Sequence, residues 1–149
     1  MEKELILEYC KDLVNKRIQE IQTAIGDATS ALQEETKSSA GDKYETSREM
    51  IQQDLNRYQQ QLAIAGQDMN TLDKLTSSKQ KSHAVSLGSL VQTDSGYYFM
   101  AISIGHVKID EEEVFCISPQ SPIGKLLVGL SLGDTFSFNG KTHNVVNIG

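Results

Sequence analysis

Two stretches of the chain carry apolar residues in a seven-residue repeat, and a short polar segment separates them. In the first stretch the repeating apolar residues are Leu7, Val14, Ile18, Ile21, Ile25, Ala28 and Leu32. In the second stretch they are Ile51, Leu55, Tyr58, Leu62, Ala65, Met69 and Leu72. Alternating steps of three and four residues are typical of a helix that packs through a narrow seam. Residues 1–75 are therefore predicted to form two long helices.

The two predicted helices are similar in length, and a single short break lies between them, so each can be the other's partner. Beside the second seam lies a polar face formed by Gln52, Gln53, Gln59, Gln60 and Gln61, which is typical of a helix with one partner. Arms of roughly 30 residues predict an antiparallel coiled-coil finger about 45 Å long. A coiled coil between two chains stays open, because heptads do not say whether the partner is internal. We expect the internal hairpin and a monomer.

The break between the helices, which we call the tip (residues 38–48), contains Gly41 followed by two carboxylates, Asp42 and Glu45. Glycine adopts a left-handed backbone without steric cost, which suits a tight turn. In a structural interpretation, Asp42 caps the second helix and Glu45, three residues later, completes a capping box. In a functional interpretation the two acids face Mg²⁺, which takes one or two protein carboxylates and keeps several waters. Two carboxylates alone would bind the ion weakly, so a partner would have to complete its shell.

Charge and hydropathy exclude several classes of protein. The formal net charge is -6 and no basic patch is present, so tight autonomous binding to nucleic acid is not expected. No apolar run approaches the roughly 20 residues of a membrane span, and the N-terminus does not have the pattern of a signal peptide. Cys10 and Cys116 lack metal-ligand spacing and are predicted to be reduced, buried thiols. We expect a soluble, cytoplasmic protein with no membrane partner.

After Leu75 the pattern changes. Polar residues 76–82 predict a linker. From His83 to the end, short runs of Val, Ile and Phe separated by turn residues predict an antiparallel α+β domain, residues 83–149. The predicted strands are 84–92, 97–104, 114–117, 135–138 and 142–148, and a short helix is predicted at 123–128.

Three smaller features of this domain complete the prediction. Asn139-Gly140 is a strong signal for a two-residue hairpin turn. The acidic run 111–113 is assigned to a solvated loop. His83, His106 and His143 are scattered over separate segments and pair with no nucleophile in the sequence, so they are expected to be structural or surface residues.

The segment Ser121-Pro122-Ile123-Gly124-Lys125-Leu126-Leu127-Val128-Gly129, followed by Leu132-Gly133-Asp134, resembles the C-terminal signature of Gre-type transcript cleavage factors. Leu87-Gly88-Ser89 resembles the Gly-Ser that opens the first C-terminal strand of that family. Gly41-Asp42 and Glu45 resemble its Gly-Asp-x-x-Glu tip at the same place in the chain. The family continues past the tip with Asn-Ala-Glu-Tyr, whereas this chain has Thr46-Ser47-Arg48-Glu49. In architecture the resemblance covers nearly the full length.

The resemblance implies a bacterial transcription elongation factor that binds RNA polymerase. Its C-terminal domain would be FKBP-like and would dock through Ser121, Pro122, Ile123 and Gly124. Its finger would enter the secondary channel, where Asp42 and Glu45 would hold Mg²⁺ jointly with the polymerase, near the 3′ end of the nascent RNA. Such two-metal hydrolysis of a phosphodiester would cleave backtracked RNA. The chain would then be an accessory of the polymerase nuclease activity and not an enzyme by itself.

Two other functions stay open. A regulator could use the same dock and finger to occupy the secondary channel without promoting cleavage. A prolyl isomerase would follow from fold analogy alone, which is weak support. RNA cleavage by a stalled, backtracked polymerase, measured with and without this protein, separates the first two functions.

Overall fold

The computed structural model describes residues 1–37, 41–78 and 82–149, and the side chains of residues 36–37 and 41–44 are outside that description. The first part of the predicted tip, residues 38–40, and residues 79–81 of the predicted linker therefore lie outside the described residues. Of the remaining predicted linker, Thr76 and Ser77 belong to a helix.

The N-terminal half consists of two long helices, α1 (Lys3–Lys37) and α2 (Gly41–Ser77). The predicted seams are correct: every seam residue of both helices is buried or half-buried, and the five glutamines of the polar face are exposed. Because the seams face each other within one chain, the helices pack as the predicted antiparallel pair. None of the helices in the described part of the chain is long and apolar enough to cross a membrane.

The chain forms two compact units. The first, which we call the hairpin, contains residues 12–69 and is built from the greater part of both helices. The second, which we call the base, contains residues 1–11 and 70–149. The start of α1 and the end of α2 therefore belong to the base together with the sheet.

The base contains one six-stranded sheet and a short helix. The strands are β1 (Leu90–Thr93), β2 (Gly96–Met100), β3 (Gly105–Ile109), β4 (Glu112–Ile117), β5 (Thr135–Phe138) and β6 (Lys141–Ile148). The short helix α3 (Pro122–Leu127) lies between β4 and β5 in sequence. In space the strands run in the order β3-β4-β2-β1-β6-β5. The α+β class predicted from the sequence is thus confirmed.

The sheet is mixed, so the prediction of a purely antiparallel sheet was wrong. Four neighbouring pairs are antiparallel, but β2 and β4 are parallel, with Tyr97 opposite Val114 and Met100 opposite Ile117. The cause is β3, which the sequence analysis missed. A parallel pair needs a connection that returns the chain to the same end of the sheet. Here β3 forms that return and pairs with β4 at the edge.

The acidic run 111–113 was assigned to a loop, but only Glu111 lies in a turn, and Glu112 and Glu113 begin β4. Asp110 and Glu111 have positive φ angles of 48° and 69° and form a two-residue turn between β3 and β4. Glu112 and Glu113 then pair with Ile109 and Lys108. The hairpin predicted at Asn139-Gly140 is confirmed: both residues have positive φ, as a tight turn between twisted strands requires.

Each face of the sheet is covered by helix. On one face, α3 packs on Met100, Ile117 and their neighbours, forming a core with Val85, Val91, Ile123, Leu127, Phe136 and Val145. On the other face, Phe99 and Cys116 are opposite each other on β2 and β4, and both are buried. Cys10 of α1 contacts Cys116, so the first turns of α1 lie against this second face. These turns bury Ile6 as well as Leu7, a wider apolar face than the seam of the hairpin.

Candidate functional site

The start of α3 is held by its own motif residues. Ser121 is the N-cap, and its Oγ accepts a hydrogen bond from the Gly124 N–H at 3.1 Å. The same hydroxyl donates to the Ser118 carbonyl oxygen at 2.7 Å. Pro122 occupies the first helical turn, where no N–H is needed and the fixed φ suits the helix. The loop before α3 therefore ends at a capping serine, and the helix starts with a proline.

Gly124 is required by close packing. A Cβ at this position would overlap the Ser118 carbonyl oxygen. Because this oxygen belongs to the backbone, it cannot move away by a side-chain rotation. Ile123 is buried in the core together with Leu127. The Ser-Pro-Ile-Gly motif thus has a complete structural explanation in which each residue shapes the entry to α3.

This placement decides which predicted docking residues can reach a partner. Pro122 is exposed and Ser121 is half-buried, whereas Ile123 and Gly124 are buried. The sequence analysis missed the apolar surface next to the motif. We call it the α3 surface; its large apolar side chains are Leu126, Val128 and Leu132, which are 41%, 46% and 65% exposed. Lys125 is exposed on the same helix.

The second candidate region is the start of α2. The helix begins at Gly41, so the glycine predicted for the turn is the first helical residue, and Asp42 lies inside the first turn. The predicted cap role of Asp42 concerns a side chain outside the described residues. Positions 42 and 45 are three residues apart in a helix, so they share one side of it. Glu45 is exposed.

The helix start favours negative charge at these two positions. The N-terminal end of a helix carries a partial positive charge and free backbone N–H groups, which stabilise nearby carboxylates. A divalent cation would need further ligands. Among the described residues, no group of three or more His, Cys, Asp or Glu side chains is arranged to hold a metal ion. The carboxylates at 42 and 45 could hold Mg²⁺ only with ligands from another molecule or from water.

Two of the histidines lie next to carboxylates. His106 lies 3.2 Å from Glu113, and His143 lies 3.3 Å from Asp94. The side chain of His106 is exposed and that of His143 is half-buried, and both contacts suit the structural or surface role expected of these histidines.

A groove of about 290 Å³ lies between the helices of the hairpin, and Asp68 lines it. Burial raises the pKa of the Asp68 carboxyl, and the positive charge of Arg17 opposes this rise. The other lining residues are Val14, Arg17, Glu20, Ile21, Gln61, Ile64 and Ala65. Burial therefore disfavours the charged form of the Asp68 carboxyl in a groove that the seam residues Val14, Ile21 and Ala65 also line.

The two cysteines are free and buried, as predicted, but their contact was not foreseen. The Sγ atoms of Cys10 and Cys116 are 3.8 Å apart. No sequence signal relates them, because one lies on α1 and the other on β4, 106 positions later.

A comparison of this chain with models of known protein families finds no match, and a search among curated proteins finds none either. Support for a function therefore comes from the geometry of the two helix starts and from the motifs that resemble the Gre-type signature.

Proposed function

We propose that this protein is a secondary-channel factor of RNA polymerase that stimulates cleavage of backtracked RNA. The observation that carries the proposal is the pair of long helices, α1 with 35 residues and α2 with 37, whose seams pack together. At 1.5 Å per residue, α2 alone is about 55 Å long. A helical pair of this length, with acidic residues at the start of its second helix, suits delivery of carboxylates into a deep, narrow site.

In this proposal Asp42 and Glu45 supply part of the shell of one Mg²⁺, and the polymerase supplies the other ligands and the RNA. The ion would activate a water and stabilise the oxygens of the phosphodiester under attack. Lack of a full ligand set in the described residues is compatible with a shared site, because Mg²⁺ usually takes only one or two carboxylates from a single protein chain. The protein would have no nuclease activity alone.

The base would dock on the polymerase through Ser121, Pro122 and the α3 surface. Several exposed apolar side chains on one short helix and the loop after it are the kind of patch that marks a protein interface. The cap of Ser121 and the fixed φ of Pro122 would restrict the entry to α3, so little conformational entropy would be lost there on binding. Ile123 and Gly124 would act by shaping the loop. The FKBP-like character of the base belongs to this proposal.

The test uses a stalled, backtracked transcription complex with RNA labelled at its 3′ end, in Mg²⁺ buffer. Adding the protein should release short 3′ fragments faster than polymerase releases them alone, and the protein without polymerase should cleave nothing. If the protein binds the complex and slows nucleotide addition without releasing fragments, the alternative of a channel-occupying regulator replaces the cleavage proposal. If the protein does not bind the polymerase, both are wrong.

A further inference from the structure

Cys10 and Cys116 form a pair of thiols inside the base. Their Sγ atoms are 3.8 Å apart, and the residues are 0% and 1% exposed. Both belong to the same compact unit, since residues 1–11 pack with the sheet. The contact is therefore part of the core that joins the first turns of α1 to strand β4.

Metal binding does not explain the pair. A structural zinc site takes four ligands, usually thiolates and imidazoles. Among the side chains that the structure describes, none adds a third ligand to make such a cluster. Two adjacent thiols can instead form a bond with each other.

We propose that Cys10 and Cys116 are a site of reversible disulfide formation that covalently links α1 to β4. A disulfide has an S–S distance of about 2.05 Å, so the sulfurs must approach by roughly 1.8 Å. The side chains already face each other, and a change of side-chain torsions with a small shift of α1 would provide that approach. We name hydrogen peroxide as the oxidant, because it is small enough to reach a buried thiol during local opening.

The reaction balances with one peroxide for each disulfide. The Cys10 thiolate attacks one peroxide oxygen, the O–O bond breaks, and Cys10 becomes a sulfenic acid while hydroxide leaves. The Cys116 thiolate then attacks the Cys10 sulfur and displaces a second hydroxide. The two thiol protons convert the two hydroxides to water. Two thiols and one peroxide thus give one disulfide and two waters, and a dithiol reductant reverses the link by exchange.

Cys10 is the thiol better suited to react first. It lies seven residues from the start of α1, and helix termini open more readily than central strands. The hydrogen bond with Cys116 lowers the pKa of the Cys10 thiol. The same contact, together with burial, raises the pKa of the Cys116 thiol. Cys116 lies on β4, which has a neighbour on each side, so it is the more protected resolving partner.

The link would close a loop of 106 positions. Such a cross-link removes conformational freedom from the unfolded chain, and longer loops give larger stabilisation. We expect the melting temperature to rise by about 5–10 °C on oxidation. Under reducing conditions the start of α1 is held by noncovalent contacts, which include the ion pair of Lys11 with Asp73. Oxidation would add a covalent link between α1 and the sheet to these contacts.

The experiment measures the intact mass of the full chain after treatment with hydrogen peroxide, acid quench, unfolding and maleimide labelling. The oxidised protein should lose the mass of two hydrogen atoms and take up no maleimide, and a dithiol should restore both labels. Cys10→Ala and Cys116→Ala, each with one thiol left, should show neither the mass loss nor the rise in melting temperature.

A second experiment tests the proposal even if hydrogen peroxide reaches the buried thiols slowly. The unfolded chain is refolded in a buffer of oxidised and reduced glutathione, and the same mass and labels are read at equilibrium. The intramolecular disulfide should form in wild type. Two free thiols after this refolding, disulfide-linked dimers, or oxygen added to each cysteine without a link would overturn the proposal.

Discussion

Helices α2 and α3 both begin at a motif that the sequence analysis selected, but the fold uses the two motifs differently. At α3, Ser121 caps the helix, Gly124 permits close packing with Ser118, and Ile123 enters the core. At α2, the acids lie in the first turn and just after it, and Glu45 is exposed. The comparison teaches that a motif can be specific because the fold needs it, as at α3. A motif can also contribute little to the fold and leave its side chains available to bind a ligand, as we propose for the acids at the start of α2.

The largest effect is expected from Gly124→Ala. The added Cβ would overlap the Ser118 carbonyl oxygen, so the loop or α3 must move. Overpacking of this kind costs about 3 kcal/mol of unfolding free energy, measured by urea titration. Gly66→Ala is the matched control, because no described atom lies within 4 Å of the new Cβ. That control should stabilise α2 by up to about 1 kcal/mol. Equal unfolding free energies of the two variants would contradict the structural role that we assign to Gly124.

The next effect concerns docking. Leu126→Gln keeps a good helix former on α3 and removes an exposed apolar side chain, so its unfolding free energy should change by less than about 0.5 kcal/mol. Polymerase affinity should fall about tenfold if the α3 surface is the dock. Ile64→Gln, which removes an even more exposed apolar side chain on α2, is the control and should leave the amount of polymerase pulled down unchanged. Unchanged affinity of the Leu126 variant would remove the α3 surface from the proposal.

A smaller effect is expected at the cap of α3. Ser121→Ala removes the hydrogen bond to the Gly124 N–H and should lower the unfolding free energy by about 1 kcal/mol. Ser121→Thr keeps a hydroxyl that can both accept and donate, so it should retain most of the stability. Equal unfolding free energies of the alanine and threonine variants would show that Ser121 does not stabilise α3. The motif of α3 would then contribute as little to the fold as we propose for the motif of α2.

The smallest effect is a change in pH dependence at Asp68. Burial raises the pKa of this carboxyl above its ordinary 3.8, so the folded hairpin holds the proton more strongly than the unfolded chain. Its contribution to stability is therefore present at low pH and is lost as pH rises through the folded pKa. Asp68→Asn should reduce the loss of unfolding free energy with rising pH, measured by urea titration at several pH values. It should also slightly stabilise the protein at neutral pH. Asp27→Asn, at an exposed position of α1, should not change the slope.

Sequence periodicity was sufficient for the hairpin because both seams repeat over several turns and the polar face agrees with them. It was insufficient for the sheet. Strand β3 has a short, mixed pattern of buried and exposed residues, and its neighbours Asp110 and Glu111 adopt a turn that glycine or asparagine more often forms. Missing β3 led to the wrong strand directions.

The candidate sites were predictable as motifs but not as surfaces. The sequence identified Ser121 to Gly124, yet it could not show that Ile123 and Gly124 are buried while Leu126, Val128 and Leu132 are exposed. For Ile123, Gly124 and Leu126 that distinction depends on which side of a six-residue helix faces the core. Val128 and Leu132 lie in the segment after the helix. The contact of Cys10 with Cys116 depends on how α1 packs on β4, and no local pattern encodes it.

The most direct test of the central claim is RNA cleavage by backtracked polymerase with Asp42→Asn and Glu45→Gln. Both changes keep the size of the side chain and remove the charge that Mg²⁺ requires. Glu49→Gln, one turn further along α2, is the matched control. We predict that the first two variants bind polymerase normally, lose about 100-fold in cleavage rate and partly recover at raised Mg²⁺, while the control cleaves like wild type. Cleavage by Asp42→Asn and Glu45→Gln at the wild-type rate would contradict the account.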